Sequence, residues 1–217
     1  MDPTTLRLIQ GASGAGKAGI EFVASAQTQN SSDNSITVDK PTGTQAGDLL
    51  IAACAANGSV TWTGDTGWTE VVDQGAVPAL RIAYLVAGAS EPASYTFTLS
   101  KNNNRSAVIT AFRNAAYNTV GTISTSASSG IQTASAITLS ASASAILAFF
   151  VQASDNRTWS NPTSGLISTA SDSDGISPSW ALYRELNLPS GSTGTRSSTC
   201  SATGGTFACV LVGITPV

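Results

Sequence analysis

The sequence predicts an all-β protein: an antiparallel β-sandwich of jelly-roll type, preceded by an extended N-terminal arm. Short segments rich in β-branched and aromatic residues recur between turn signals such as Pro-Thr-Gly and Ser-Gly-Ser. Charged residues make up only 11% of the 217 residues, against about a quarter in ordinary domains, whereas long solvent-facing helices need many of them. The hydrophobic fraction of 41% is sufficient for a large core.

Residues 1–34 differ from the rest of the chain and are predicted to be the arm and its linker. The segment begins with MDPTTLRLIQ and continues with GASGAGKAG, whose small residues favour close backbone approach. It cannot enclose a core of its own, so it is either a disordered tail or an arm that docks on a partner or a neighbouring copy. The predicted contact residues of such an arm are its apolar side chains and glycines: Leu6, Leu8, Ile9, Gly11, Gly14, Gly16 and Phe22.

Residues 11–18, GASGAGKA, nearly match the phosphate-binding pattern G-x-x-x-x-G-K-[ST]. Ala18 stands where the pattern requires a Ser or Thr to hold Mg²⁺. A working loop of this kind also needs a helix after it, and the following residues leave room for barely two helical turns. We therefore expect no nucleotide site and no cofactor.

From residue 35 the chain alternates between strands and turns, and one β-sandwich domain is predicted over 35–217. The segment SYTFTLS alternates cleanly, as a half-buried strand does, whereas AILAFFV and FACVLVGI are apolar throughout and are expected to be covered on both faces. The predicted strands are 35–39, 48–56, 67–73, 79–87, 94–100 and 106–113, then 135–140, 145–153, 165–170, 179–186, 195–201 and 206–214.

The pattern of strands repeats, with similar halves at about 35–114 and 135–214 and a crossover at 115–134. Each half has a Gly-led strand, then a strand with a tyrosine (Tyr84 or Tyr183), then an apolar closing strand. The repetition fits one sandwich built from two similar halves or two small sandwiches packed together. One sandwich is the preferred prediction, because neither half alone has enough strands to close two sheets comfortably.

The composition excludes several functions. The chain has no His, which removes the Ser-His-Asp and Cys-His catalytic designs and the commonest transition-metal ligand. The acids near Trp68 and in the loop SDSDG (171–175) have no spacing that fixes a catalytic pair or a Ca²⁺ loop. We expect neither an enzyme nor a metal site. The three Cys are expected to be buried free thiols, with a disulfide from Cys209 to Cys54 or Cys200 as the alternative.

Nucleic acid and membrane insertion are not expected. The net charge is −3 and the cations are scattered, whereas nucleic-acid binding needs clustered cations. No apolar run approaches the roughly 18 residues that span a bilayer. Asp2 and Pro3 occupy the place where a signal peptide would have basic residues.

Two tryptophans, Trp62 and Trp159, occupy matching places in the two halves, close to Asp65 and Asn156 respectively. Exposed aromatic rings beside Asn and Asp are typical of sugar-binding faces, so these four residues form a candidate ligand platform. The alternatives are tryptophans that close the ends of the core or that lie in a subunit interface. Trp68 and Trp180 begin strands and are expected in the core.

Two segments resemble proteins of tailed bacteriophages. MDPTTLRLIQGASGAGK looks like a leader of phage fibre-like and structural proteins, and ITVDKPTGTQAGDLL (36–50), with SYTFTLS and SAVITAFR, is similar to sandwich domains of phage virion proteins. The resemblance implies a virion-surface protein: a capsid decoration or head-fibre subunit that attaches to other virion proteins through its arm. It also implies a homo-oligomer, such as a trimer. The alternative is a tail adhesin or carbohydrate-binding module that recognises a host-surface glycan.

Overall fold

The computed structural model describes residues 18–63, 66–127, 130–172, 175, 178–202 and 204–217. These residues form 17 β-strands with no helix among them, which confirms the all-β prediction. Within this part of the chain, no helix has the length and apolar character needed to cross a membrane.

The strands of the first half build one antiparallel sheet. Their bounds are β1 (Glu21–Asp39), β2 (Leu49–Ala56), β3 (Trp62–Thr63), β4 (Thr69–Gln74), β5 (Ala79–Val86) and β6 (Ser94–Arg113). The sheet order is β1-β6-β2-β5-β4, and β3 pairs with β6. The strands β1 and β6 are long because they pair from Glu21 opposite Arg113 to Asp39 opposite Ser94.

The second half builds a second large sheet and two small ones. Its strands are β7 (Ala115–Val120), β8 (Ser124–Ser126), β9 (Ile131–Ala134), β10 (Thr138–Leu139), β11 (Ser144–Gln152), β12 (Trp159–Ser160), β13 (Ile167–Asp172), β14 (Ser179–Leu188), β15 (Gly191–Ser192), β16 (Arg196–Cys200) and β17 (Phe207–Pro216). The large sheet has the order β13-β14-β11-β17-β7, with β8 paired to β17. The small sheets are β12-β16-β9 and β10-β15.

The two large sheets share one strand order. Strands β1, β6, β2, β5 and β4 correspond in turn to β7, β17, β11, β14 and β13. Their irregularities also coincide: the β4–β5 pair has a bulge between Glu70 and Val72, and the β13–β14 pair has one between Ser168 and Ala170. Bulges are specific local features. Their agreement therefore indicates two copies of one structural unit, which we call repeat 1 (20–113) and repeat 2 (115–217).

These repeats extend the predicted halves toward the N-terminus. Residues 21–34, predicted as arm and linker, form the N-terminal part of β1, because β6 supplies partners for their backbone groups. The segment 115–134, predicted as a crossover, contains β7, β8 and β9, whose backbone groups pair with β17 and β16. Both segments are polar edge strands, which lack the apolar alternation that reveals a strand in a sequence.

The large sheets pack face to face around a central core that contains buried residues of both repeats, such as Ile51 and Ile82 with Leu147 and Leu182. Each sheet has a further core on its other face. In repeat 1, the parts of β1 and β6 near residues 36 and 97 fold over that face together with β3. In repeat 2, β9 and β10 cover it. The result is four layers, in which β2 and β11 are buried at every position.

This packing corresponds to two small sandwiches joined through their large sheets, which is the alternative to the single sandwich preferred from the sequence. The physical reason is that each large sheet has apolar side chains on both faces and needs a cover on each. The apolar runs 145–153 and 206–214 form β11 and β17 and are covered on both faces, as expected.

Contacts between the repeats occur in matched pairs. Tyr84 of β5 stacks on Tyr117 of β7, with ring centroids 4.6 Å apart. At the matching place, the guanidinium of Arg184 on β14 lies 4.1 Å from the ring centroid of Phe22 on β1. Because β5 corresponds to β14 and β7 to β1, these are two versions of the same contact. The repeats are therefore related by an approximate twofold axis, like the subunits of a symmetric dimer.

Candidate functional site

Trp62 is a core residue. Its side chain is 3% exposed and packs in the core under β3, so it is not available as a platform for a sugar. Of the alternatives that the sequence left open, the core position is the one observed. Trp68 and Trp180 are also buried, as expected, at 9% and 1% exposure.

Trp159, the counterpart of Trp62, is only half-buried. It lies on β12, with its ring centroid 5.8 Å from that of Phe150 and 6.4 Å from that of Phe207. These contacts hold the indole against the outer core of repeat 2. Trp159 also lines a cavity of about 390 Å³ between β12 and the strands β13 and β14, which we call the Trp159 cavity. This volume is in the range of small-molecule sites, about 300–1,000 Å³.

The residues that line the Trp159 cavity are largely polar or aromatic. Arg157 Nε, Trp159 Nε1 and Trp180 Nε1 belong to lining residues, and none of the three has an acceptor among the described residues. Asp172, at the end of β13 and 8% exposed, adds a carboxylate to the lining. These three N–H groups are enclosed by protein atoms, so a ligand in the cavity would meet the other polar groups of the lining and the aromatic rings.

The Trp159 cavity adjoins a second one of about 290 Å³, since Ser171 and Asp172 line both. The second cavity lies between the repeats, against residues 27–29 of β1. There Gln27 Nε2 donates a hydrogen bond to the Ser171 carbonyl oxygen at 3.1 Å. The two cavities adjoin at the edge of β13, where they share Ser171 and Asp172, and we call the pair the Trp159 groove.

At the corresponding place in repeat 1 there is a charged trio: Glu70, Asp73 and Arg81. Arg81 Nε lies 2.9 Å from Glu70 Oε2, and Asp73 is the cross-strand partner of Arg81. Burial raises the pKa of Asp73, and the guanidinium of Arg81 opposes that rise. Long charged side chains therefore occupy this corner beneath Trp62.

In repeat 2 the register of β13 against β14 places Ser168, Ser171 and Ala181 at the positions of the charged trio. All three line the Trp159 cavity. The neighbouring positions change in the opposite sense, since Tyr183 and Trp180 of repeat 2 stand where repeat 1 has Ala83 and Leu80. The cavity is therefore lined by residues that differ between the repeats.

The other predicted site residues are not gathered at one place. Asn156 is exposed, on a turn with a φ of 55° near Gly175. Phe22, predicted as an arm contact, packs within the chain against Phe112 and beneath Arg184. Asp65 lies outside the described residues, as do the predicted arm contacts Leu6, Leu8, Ile9, Gly11, Gly14 and Gly16.

Sequence reasoning named Trp159 but missed the other residues that form the cavity. Asp172 was interpreted as part of a surface loop, whereas it ends β13 and is buried. A signal was present: the matching segments GWTEVVDQ (67–74) and GLISTASD (165–172) differ where the first has Glu and Asp and the second has Ser.

The cysteines do not take part in this site. All three are buried free thiols, as expected, so no disulfide from Cys209 is formed. Burial raises the pKa of Cys209 to about 12 and also raises that of Cys200. No group of three His, Cys, Asp or Glu side chains among the described residues is placed to hold a metal ion.

No protein-family model matches this chain, and no curated protein matches its sequence. The function is therefore inferred from the residues and their arrangement.

Proposed function

We propose that this chain is a structural protein of a bacteriophage virion, most simply a capsid decoration or head-fibre subunit. The residues that resemble phage proteins, MDPTTLRLIQGASGAGK and ITVDKPTGTQAGDLL, suggest the class. The observation that supports it best is the packing: three apolar cores continue through four β-layers of a chain with few charges. Such a body is suited to a passive, durable role on a particle surface.

In this proposal the N-terminal segment attaches the body to other virion proteins, and the body forms a homo-oligomer such as a trimer on the virion surface. Since β1 begins at Glu21, residues 1–17 can be deleted without removing any residue of the 17 described strands. Deletion of residues 1–34 would also remove most of β1, which pairs with β6. The shorter deletion is therefore the one that tests attachment separately from folding.

The test is location and attachment on purified particles. Immunogold electron microscopy should place the chain on the capsid. A chain without residues 1–17 should keep its unfolding midpoint but no longer bind particles that lack the native protein. Absence of label from every particle would refute the virion role, and undiminished binding of the shortened chain would refute the arm's role.

A second candidate, a tail adhesin or carbohydrate-binding module, is favoured by the Trp159 cavity. An aromatic ring beside Arg157 and Asp172 in a concave site is the arrangement expected for binding a polar ring compound. Label at the tail tip rather than over the capsid would support this candidate.

A further inference from the structure

We propose that the Trp159 groove binds a neutral oligosaccharide that spans both repeats. This inference rests on the second candidate function above and specifies its ligand class. It does not depend on where the protein sits on a particle.

The chemistry of the Trp159 cavity favours a sugar. A pyranose hydroxyl both donates and accepts hydrogen bonds, so the hydroxyls of one ring can pair with the hydroxyl groups of Thr158, Ser168 and Ser171 and donate to the carboxylate of Asp172, all of which belong to lining residues. The apolar face of the same ring can lie against an indole. A hydrocarbon would cover the Asp172 carboxylate and the hydroxyl groups of the lining without pairing with them, which is costly.

The charge balance favours a neutral sugar over an acidic one. Among the described lining residues, Arg157 is the cation and Asp172 the anion, so their formal charges cancel. Phosphate and carboxylate ligands are generally held by an excess of positive charge. A neutral, hydroxyl-rich ligand requires no such excess.

The shape of the groove favours a chain of sugars over a single one. Ser171 and Asp172 face both cavities, and the second cavity leads to residues 27–29 of β1, which supply amide and hydroxyl groups. One sugar would occupy the Trp159 cavity, and the next would follow the polar edge where repeat 2 meets repeat 1.

Repeat 1 provides the variant that tests this proposal. The double substitution Ala181→Arg with Ser168→Glu copies the Arg81–Glu70 pair into the matching positions of repeat 2. It places two long side chains in the lining of the cavity, opposite Tyr183, where repeat 1 has Ala83. The matched control is Thr63→Ala, an exposed position of repeat 1 next to Trp62.

The experiment is a glycan array of neutral and acidic oligosaccharides probed with the full chain, followed by calorimetry on any bound glycan. We expect binding to neutral oligosaccharides, a loss of affinity of at least tenfold in the double variant, and unchanged affinity in the control. Binding of acidic glycans alone, binding that the double variant retains, or no glycan binding would each overturn the proposal.

Should the double variant unfold, Arg157→Gln serves as the second variant, since it removes the cation at a half-buried position. It should also lower the affinity at least tenfold, and an unchanged affinity would overturn the proposal. Failure of glycan binding would leave the immunogold test of the virion role unaffected, so the two proposals fail separately.

Discussion

Trp62 and Trp159 occupy the same position in two copies of one fold, yet one is sealed in a core and the other lines a cavity. The surrounding residues differ: repeat 1 has Arg81 with its acidic partners, whereas repeat 2 has Ala181 with two serines. Repeat 2 also has the larger Tyr183 and Trp180 where repeat 1 has Ala83 and Leu80. A duplicated fold can therefore keep a closed corner in one copy and have a cavity at the same place in the other. A tryptophan ring can therefore serve as a platform for a ligand only if the neighbouring side chains leave part of the ring exposed.

The largest expected effect is a difference between Trp62→Ala and Trp159→Ala. Removing the buried Trp62 should lower the free energy of unfolding by about 3–5 kcal/mol, the usual cost of deleting a large core side chain. Trp159→Ala should cost about half as much, because its ring is only partly covered. Urea unfolding followed by circular dichroism measures both, and equal losses would contradict the distinction between the two sites.

The next effect concerns the charged trio. Arg81→Ala should lower the free energy of unfolding by about 2–3 kcal/mol, because the buried Arg81 is lost and its acidic partners lose their cation. Glu70 is partly exposed, which keeps this loss below that of a fully buried pair. Arg81→Met, which retains the apolar stem, is the control for packing and should cost less. A loss below about 0.5 kcal/mol for Arg81→Ala would show that the trio does not stabilise repeat 1.

The third prediction asks whether the outer core of repeat 2 remains closed despite the cavity. The pKa of Cys209 is raised to about 12 by burial, above the value of roughly 8.5 for an exposed thiol. Between these values the folded state keeps a proton that the unfolded state releases, so stability should fall as pH rises from about 9 to 12.

The slope from this one group is at most about 1.4 kcal/mol per pH unit. Cys209→Ala should be less sensitive to pH than the unchanged chain in unfolding experiments at pH 9, 10 and 11. Parallel curves for the two proteins would indicate that the core around Cys209 admits water.

The smallest effect tests the approximate symmetry between the repeats. Double-mutant cycles to alanine should give a coupling of about 0.5–1.5 kcal/mol for Tyr84 with Tyr117. Arg184 with Phe22 should give about 0.5–2 kcal/mol, as expected for a cation over an aromatic ring. Couplings near zero for both pairs would mean that the shared central core, and not these ring contacts, joins the repeats.

Much of the fold could be predicted from the sequence, because strand patterns are local. The segment SYTFTLS predicts a half-buried strand and the segment AILAFFV a fully buried one, and neither prediction needs information from the rest of the chain. Edge strands such as 115–120 could not be recognised in this way. Their side chains are partly exposed to solvent, and the strand with which they pair lies far along the chain. The cavity was still harder to predict from the sequence. Ser168 in place of Glu70 leaves a void only if no other side chain fills the space.

The sequence by itself determined that the chain is all-β, that its pattern repeats, and that Trp62 and Trp159 are counterparts, since each depends on the order of residues along short segments. The tertiary structure decided how the repeats pack, that residues 21–34 belong to a sheet, and which tryptophan borders a cavity. These depend on side chains that meet from distant strands, and a local sequence pattern does not specify which side chains meet.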